Sequence, residues 1–125
     1  MSIIKEDKKI EINLPKSLIP NRICIALSSY GLNEFYISFK YLKMILIYLY
    51  NKKLFDLKTI KDALLAVSKY YGSTRQTIIN ALGKLFNMLP TNFFIACPLY
   101  VKIKMNCFHK IQYIAQIILE DIKLI

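Results

Sequence analysis

The spacing of apolar residues constrains the fold of this chain most, because they recur with the period of an α-helix. Between residues 57 and 71 they are three or four positions apart, which places a single stripe on one helix face: Leu57, Ile60, Leu64, Val67 and Tyr71. Asp56 can cap the start of this helix, and Gly72 can end it. We therefore predict a helix over residues 57–71.

The chain before this segment carries two further helical patterns. A first helix is expected over residues 16–30, because Pro20 is tolerated in its first turn and Gly31 can follow its end. Asn33 can cap a second helix that ends near residues 51–53. We expect the buried face of this second helix to be formed by Phe35, Phe39, Leu42, Leu46 and Leu49.

A fourth helix is predicted directly after the helix over residues 57–71. Ser73 and Gln76 have the spacing of a capping box, in which the serine hydroxyl and the glutamine side chain each bond to the other residue's backbone N–H. The helix should run over residues 73–89, because Pro90 disfavours the helical conformation in the residue before it. Its apolar stripe consists of Ile78, Leu82, Leu85, Phe86 and Leu89.

The rest of the chain completes one helical domain. A last helix is expected from about Asn106, with an apolar stripe at Ile111, Ile114, Ala115, Ile118 and Ile122. Residues 91–105 have no consistent period and are expected to form a basic loop or hairpin. The chain is 55% hydrophobic and can bury an ordinary core. We predict an all-α compact bundle of about five to six helices containing a helix-turn-helix, with an N-terminal arm at 1–15 and a single domain at 16–125.

Net charge and hydropathy narrow the class of partner. The formal net charge of +10 attracts polyanions, so nucleic acid is the first candidate partner, although an AT-rich genome also favours lysine. The first nine residues lack the apolar stretch of a secretory signal. The most apolar run, residues 41–50, is shorter than the ~20 residues that cross a bilayer. We expect a cytoplasmic protein that does not associate with membranes.

The order of the predicted elements indicates a helix-turn-helix. The helices over 57–71 and 73–89 are joined by a tight turn at Tyr71-Gly72, and in such a unit the second helix enters the DNA major groove. The side chains expected to read base edges are Arg75, Gln76, Thr77, Asn80 and Lys84. Those expected to hold phosphates are Lys69, Ser73, Thr74, Lys102 and Lys104. The same pattern also fits an ordinary helix pair whose polar face is only solvated.

Several short groups of residues between Gly31 and Pro90 follow the pattern of a known family. They are Gly31, Phe39-Lys40-Tyr41-Leu42, Tyr50-Asn51, Val67 with Lys69, Tyr71, Ser73-Thr74 and Ala81-Leu82. On these residues, segment 31–90 resembles, without a gap, the C-terminal effector domain of the stage zero sporulation protein A family of response regulators. The resemblance implies a helical domain that binds duplex DNA as a transcription factor, often as tandem copies, with residues 73–89 as the recognition helix. A homodimer on DNA is a further possibility that the last helix's apolar stripe leaves open.

Two departures from the family bear on function. Four positions that are usually charged in the family are here Thr77, Ile79, Asn80 and Gly83, so recognition of the family's usual DNA box is not expected. The family's phosphate-accepting receiver domain has no counterpart, and we expect a stand-alone domain. An alternative function is therefore a protein-interaction module that pairs with a related regulator and modulates it.

No group of residues predicts catalysis or metal binding. His109 is the single histidine and is expected at the surface or at a helix cap, and the chain has no glycine-rich phosphate loop. The three cysteines, Cys24, Cys97 and Cys107, lack the spacing of a zinc site and are expected to be reduced thiols. We expect no enzyme activity, no cofactor, no metal and no small-molecule substrate.

Overall fold

The computed structural model describes residues 19–90, 92–94 and 105–123 of the chain. Within these ranges there are five α-helices: α1 (Ile19–Ser29), α2 (Ile37–Lys52), α3 (Leu57–Tyr71), α4 (Arg75–Phe86) and α5 (Cys107–Lys123). The described residues contain no strand, which confirms the prediction of an all-α helical bundle. The predictions for the arm at 1–15, for Lys102 and for Lys104 lie outside the described residues.

Helix α2 is the centre of the bundle and packs against each of the other four helices. Residues 44–49 of this helix are all buried, as expected of a helix that neighbours cover on every side. Helix α5 closes the bundle by packing on α1, α3 and α4 as well. Its predicted apolar stripe is fully confirmed, because all five side chains are buried: Ile111, Ile114, Ala115, Ile118 and Ile122.

The predicted ends of α3 are confirmed. Asp56 caps the helix, because its carboxylate accepts a hydrogen bond from the Thr59 backbone N–H at 3.3 Å. Gly72 ends it in the left-handed conformation with φ +67. The Gly72 N–H donates to the carbonyl of Lys69, and the Ser73 N–H donates to the carbonyl of Ser68, which together make a Schellman turn.

The predicted start of α2 is wrong, whereas the predicted end of α1 is confirmed. Helix α1 ends at Ser29, and Gly31 follows with φ +89. Asn33 does not cap α2, because its side chain accepts from the Phe35 N–H at 2.9 Å and so closes a local turn. The helix begins only at Ile37, after that turn. Phe35 therefore precedes the helix and is 82% exposed, so its assignment to the buried face is also wrong.

The predicted span of α4 needs correction at both ends. Thr74 is the N-cap, because its hydroxyl accepts from the Thr77 N–H at 3.1 Å, and the helix ends at Phe86. Ser73 cannot fill the cap position, since its N–H and its carbonyl both bond to Ser68 at the end of α3. The predicted apolar stripe is nevertheless confirmed, because all its members are buried: Ile78, Leu82, Leu85, Phe86 and Leu89.

The start of α5 lies within one residue of its prediction. The Asn106 side chain accepts from the His109 N–H at 3.0 Å, and His109 Nδ1 accepts from the Asn106 N–H at 3.4 Å. His109 is therefore a capping residue, as predicted. The Gln112 side chain donates to the Phe55 carbonyl at 2.8 Å and ties α5 to the loop between α2 and α3. In the described ranges, no helix combines the length and apolarity that a membrane span requires.

Candidate nucleic-acid interface

Residues 72–74 form the turn that joins α3 to α4. The Ser73 carbonyl accepts from the Ser68 hydroxyl, and the Ser73 hydroxyl lies 3.4 Å from the hydroxyl of Tyr41 on α2. The Tyr41 ring packs edge-on against Tyr71 at a centroid distance of 5.1 Å. The turn is thus fixed to both α2 and α3, so the direction in which α4 leaves it is fixed as well.

Helix α4 is amphipathic, with one face on the core and one face in solvent. Its buried face holds Ile78, Leu82, Leu85 and Phe86. The five predicted base-reading residues are all exposed: Arg75, Gln76, Thr77, Asn80 and Lys84. The last four lie on the side opposite the buried face, whereas Arg75 is in line with Ile78 and Leu82 and is exposed at the first position of the helix. The fold therefore brings all five to the solvent-facing surface of a single helix.

Two hydrogen bonds between side chains organise this outer face. The Gln76 amide nitrogen donates to the Asn80 amide oxygen at 2.9 Å. This bond leaves the Asn80 amide nitrogen as a donor and the Gln76 carbonyl as an acceptor, and those are the two groups that pair with the N7 and N6 positions of adenine. The Thr74 and Thr77 hydroxyls lie 2.8 Å apart and bond to each other. Thr77 is therefore less available to a base than the amide pair.

The predicted phosphate-binding residues separate into two groups. Lys69 in the last turn of α3 and Thr74 at the cap of α4 are exposed beside the turn. Ser73 is half-buried, with its hydroxyl close to that of Tyr41. The first backbone N–H groups of α4, including those of Arg75 and Gln76, have no partner within the helix, and such groups attract phosphate oxygens.

The charge around the turn is positive. Between residues 57 and 89 the chain holds five basic residues and the single acid Asp62, which lies in the middle of α3. No acidic residue occurs between residues 63 and 90. Duplex DNA carries one negative charge per about 1.7 Å of its axis, so the sign of this surface matches it.

Neither of the two cysteines in the described part of the chain has a lowered pKa that would favour the reactive thiolate. Burial raises the pKa of the Cys107 thiol to about 11, so it is protonated at neutral pH. Burial, together with a 3.2 Å hydrogen bond to Glu34, also raises the pKa of Cys24. No group of three or more metal-ligating side chains occurs among the described residues, and Cys97 lies outside them.

A groove beside α4 was not anticipated from the sequence. It has a volume of about 490 Å³ and lies between the outer face of α4 and the start of α2, and its walls are Tyr36, Ile37, Ser38, Thr77, Asn80, Ala81, Lys84 and Met88. Ile37 is 50% exposed and Met88 48% exposed, and Phe35 projects into solvent next to them. The one signal for this groove in the sequence is the apolar run Phe35-Tyr36-Ile37. The incorrect prediction of the helix start assigned part of this run, Phe35, to the core.

The tyrosine contact to the turn was missed as well. Tyr41 lies in an apolar run that predicts a buried helix, and the structure buries its ring there. That its hydroxyl meets Ser73, 32 positions further along the chain, depends on how α2 and α3 pack. The sequence carries no signal for such a contact.

Comparisons with known proteins give no relative for this chain: no protein-family model, curated protein or solved structure matches it. The resemblance of residues 31–90 to sporulation effector domains therefore depends on the short groups of residues named above.

Proposed function

We propose that this protein binds duplex DNA sequence-specifically as a transcriptional regulator related to sporulation initiation factors, with α4 as its recognition helix. One observation carries the proposal. Helix α4 is a capped helix after a three-residue turn; it exposes Arg75 in its first turn, and Gln76, Thr77, Asn80 and Lys84 on the side opposite the core. This is the arrangement by which a helix-turn-helix reads bases in the major groove.

The proposed roles follow from the donors and acceptors of each side chain. Arg75 and Lys84 donate to guanine, whereas the Gln76 and Asn80 amides pair with adenine and Thr77 makes a secondary contact. Lys69, Thr74 and Ser73 hold phosphates next to the turn, and Lys102 and Lys104 add charge from the segment before α5. Phosphate contacts position the helix, and base contacts supply specificity.

The proposal also covers the location of the protein, its lack of catalysis and the way it binds DNA. We place the protein in the cytoplasm and assign it no catalytic activity and no cofactor; its single histidine bonds to Asn106 at the start of α5. The resemblance to sporulation effector domains supports binding as tandem copies or as a homodimer. Thr77, Ile79 and Gly83 stand at positions that are usually charged in the family. This difference supports a DNA target that differs from the family's usual DNA box.

A second candidate function is a protein-interaction module that modulates a related regulator. The apolar groove between α4 and the start of α2 favours it, because exposed apolar surface next to polar residues is typical of protein contacts. The two functions differ in their response to salt. Affinity for DNA falls steeply with salt because phosphate contacts release counterions, whereas an apolar contact changes little.

The test is the affinity for a fluorescent duplex as a function of salt. We expect log K to fall linearly with log salt, with a slope of roughly −0.9 for each phosphate neutralised. The double variant Arg75→Ala with Lys84→Ala should bind much more weakly. The matched control, Lys52→Ala with Lys58→Ala, removes the same charge at the end of α2 and in the first turn of α3, and should change the affinity little. Lys58 lies about 20 Å along α3 from the turn. Equal losses in both variants, or no binding, would contradict the proposal.

A further inference from the structure

We propose that the groove between α4 and the start of α2, hereafter the α2–α4 groove, binds an acidic amphipathic helix of a partner protein. The same partner is expected to compete with DNA for α4. The docking itself follows from the groove, whereas the competition rests on the proposed DNA-binding function.

The first observation is the apolar surface that the groove leaves in solvent. Tyr36, Ile37 and Met88 line it and are each about half exposed, and Phe35 stands beside them with 82% of its surface in solvent. Phe35, Tyr36 and Ile37 are held on an ordered frame, because Asn33 closes the preceding turn and the Tyr36 carbonyl accepts from the N–H groups of Phe39 and Lys40. Phosphates offer such side chains no favourable contact, so DNA does not account for them.

The second observation is the shape of the groove. Its α4 wall consists of Thr77, Asn80, Ala81 and Lys84, which share one face of the helix, and of Met88 just after the end of the helix. These positions extend over about 16 Å, the length of about three helical turns. A stripe of this spacing is the surface on which a second helix packs, and apolar grooves of this kind take amphipathic helices.

The third observation is charge, which selects the partner. Lys84 is the one charged residue of the groove wall, and the exposed Lys40 follows Ile37 by one helical turn. A second copy of this chain would bring the same lysines and its own net charge of +10 against them. Carboxylates flanking an apolar stripe would instead pair with both lysines, so the groove fits an acidic partner better than a second copy.

The position of the groove has a consequence for regulation. Thr77, Asn80 and Lys84 belong both to the groove wall and to the residues proposed to read bases. A helix lying in the groove would cover all three and would place negative charge where DNA places its own. Partner and duplex should therefore exclude one another.

The test uses a displayed library of helical peptides of about 16 residues, long enough to span the groove. In each peptide, the positions that form one apolar helix face vary among Leu, Ile, Met and Phe. The positions on either side of that face vary between Glu and Lys. Selection on the full chain should enrich Glu at the flanks. In NMR spectra of the labelled chain, the selected peptide should shift the amides of Tyr36, Ile37, Ala81 and Met88.

Serine variants test whether the peptide binds in the α2–α4 groove or to exposed apolar side chains in general. Ile37→Ser and Met88→Ser should each weaken peptide binding roughly tenfold or more, a change of about 1.4 kcal/mol. Leu54→Ser, at a residue that is 57% exposed and outside the groove, should leave it unchanged. Enrichment of Lys, no enrichment at all, or equal weakening by Leu54→Ser would overturn the proposal. If raising the protein concentration without peptide caused the same NMR shifts at the groove, the occupant would be a second copy of the chain, and the proposal would be overturned.

The competition is tested separately. The selected peptide should displace a bound duplex from the wild-type chain, and Ile37→Ser should resist displacement while it retains duplex binding. Arg75→Ala, outside the groove wall, should lose affinity for the duplex and keep affinity for the peptide. Failure of duplex binding with intact peptide binding would refute the DNA function alone, and simultaneous binding of both ligands would refute the competition.

Discussion

The exposed side chains of α4 that we propose to read bases differ in how far the protein itself already positions them. Gln76 and Asn80 bond to each other and so meet a ligand as one preorganised pair. Thr77 bonds to Thr74 and is committed to the helix cap. Arg75 has a longer side chain at the first position of the helix, where it can reach a base edge next to the turn. We therefore assign the sharpest base preference to Arg75 and to the amide pair.

The assignment of Arg75 predicts a change in specificity. Arg75→Ala should cost about 1–3 kcal/mol at one base position, because a two-bond contact to guanine is lost there. Lys69→Ala serves as the comparison, since loss of a phosphate contact weakens all sequences about equally. Competition binding with single-base variants of the target measures both effects. An equal loss on every sequence for Arg75→Ala would contradict its role as a base reader.

The cap of α3 predicts a pH dependence of stability. The Thr59 hydroxyl and backbone N–H both donate to the Asp56 carboxylate and lower its pKa in the folded state. Because the folded pKa lies below the unfolded value, the contribution of the carboxylate is fully present above about pH 4 and is lost as the pH falls through the folded pKa. Asp56→Asn keeps a capping side chain without the charge.

Denaturant unfolding between pH 3 and pH 7 measures this contribution. The free energy of unfolding of the wild type should fall more steeply with acid than that of Asp56→Asn, and the two curves should approach one another at the acid end. Parallel curves across the whole range would show that the Asp56 charge does not stabilise α3.

At the scale of the elements, the sequence predicts the faces of the helices better than their ends. The stripes of α4 and α5 are buried in full because the three-to-four spacing of large apolar residues leaves one face to cover. The caps are harder to place, because Asn33, Ser73 and Thr74 are all capping residue types. Asn33 is used by a local turn and Ser73 by the end of α3, which leaves Thr74 to cap α4.

For the candidate site too, some features could be predicted from the sequence and others could not. The exposure of Gln76, Thr77, Asn80 and Lys84 could be predicted, because they lie opposite the buried stripe of α4. The exposure of Arg75 does not follow from the stripe, because Arg75 is in line with Ile78 and Leu82. The α2–α4 groove and the contact between Tyr41 and Ser73 could not be predicted, because both depend on how helices distant in sequence pack together. Helix periodicity carries information about one helix at a time.

Alanine substitutions at the glycines of α4 and of the turn before it should change the stability in opposite directions. Gly83 lies inside α4 without a positive φ, and a Cβ placed there meets no atom within 4 Å, so Gly83→Ala should stabilise the protein by about 0.5–1 kcal/mol. Gly72 ends α3 with φ +67, so Gly72→Ala should destabilise it by about 1–2 kcal/mol. Urea unfolding measures both. Loss of stability in Gly83→Ala would contradict the open space around Gly83.

At the scale of the whole molecule, a central helix fixes the geometry of the proposed DNA-binding unit, α3, the turn and α4. Helix α2 packs against both α3 and α4, and through Tyr41 it also lies against the turn between them. The chain carries a net charge of +10, which attracts a polyanion from a distance. A basic all-α bundle that holds α4 in a fixed direction suits the proposed approach of this helix to the major groove.

The most direct test of this account is selection of the purified protein on a randomised duplex library at roughly 0.15 M salt, where charge attraction is screened beyond about 8 Å. We predict enrichment of one motif, and loss of its preference at one base position in Arg75→Ala. Retention of all sequences equally, or of none, would contradict sequence-specific recognition by α4.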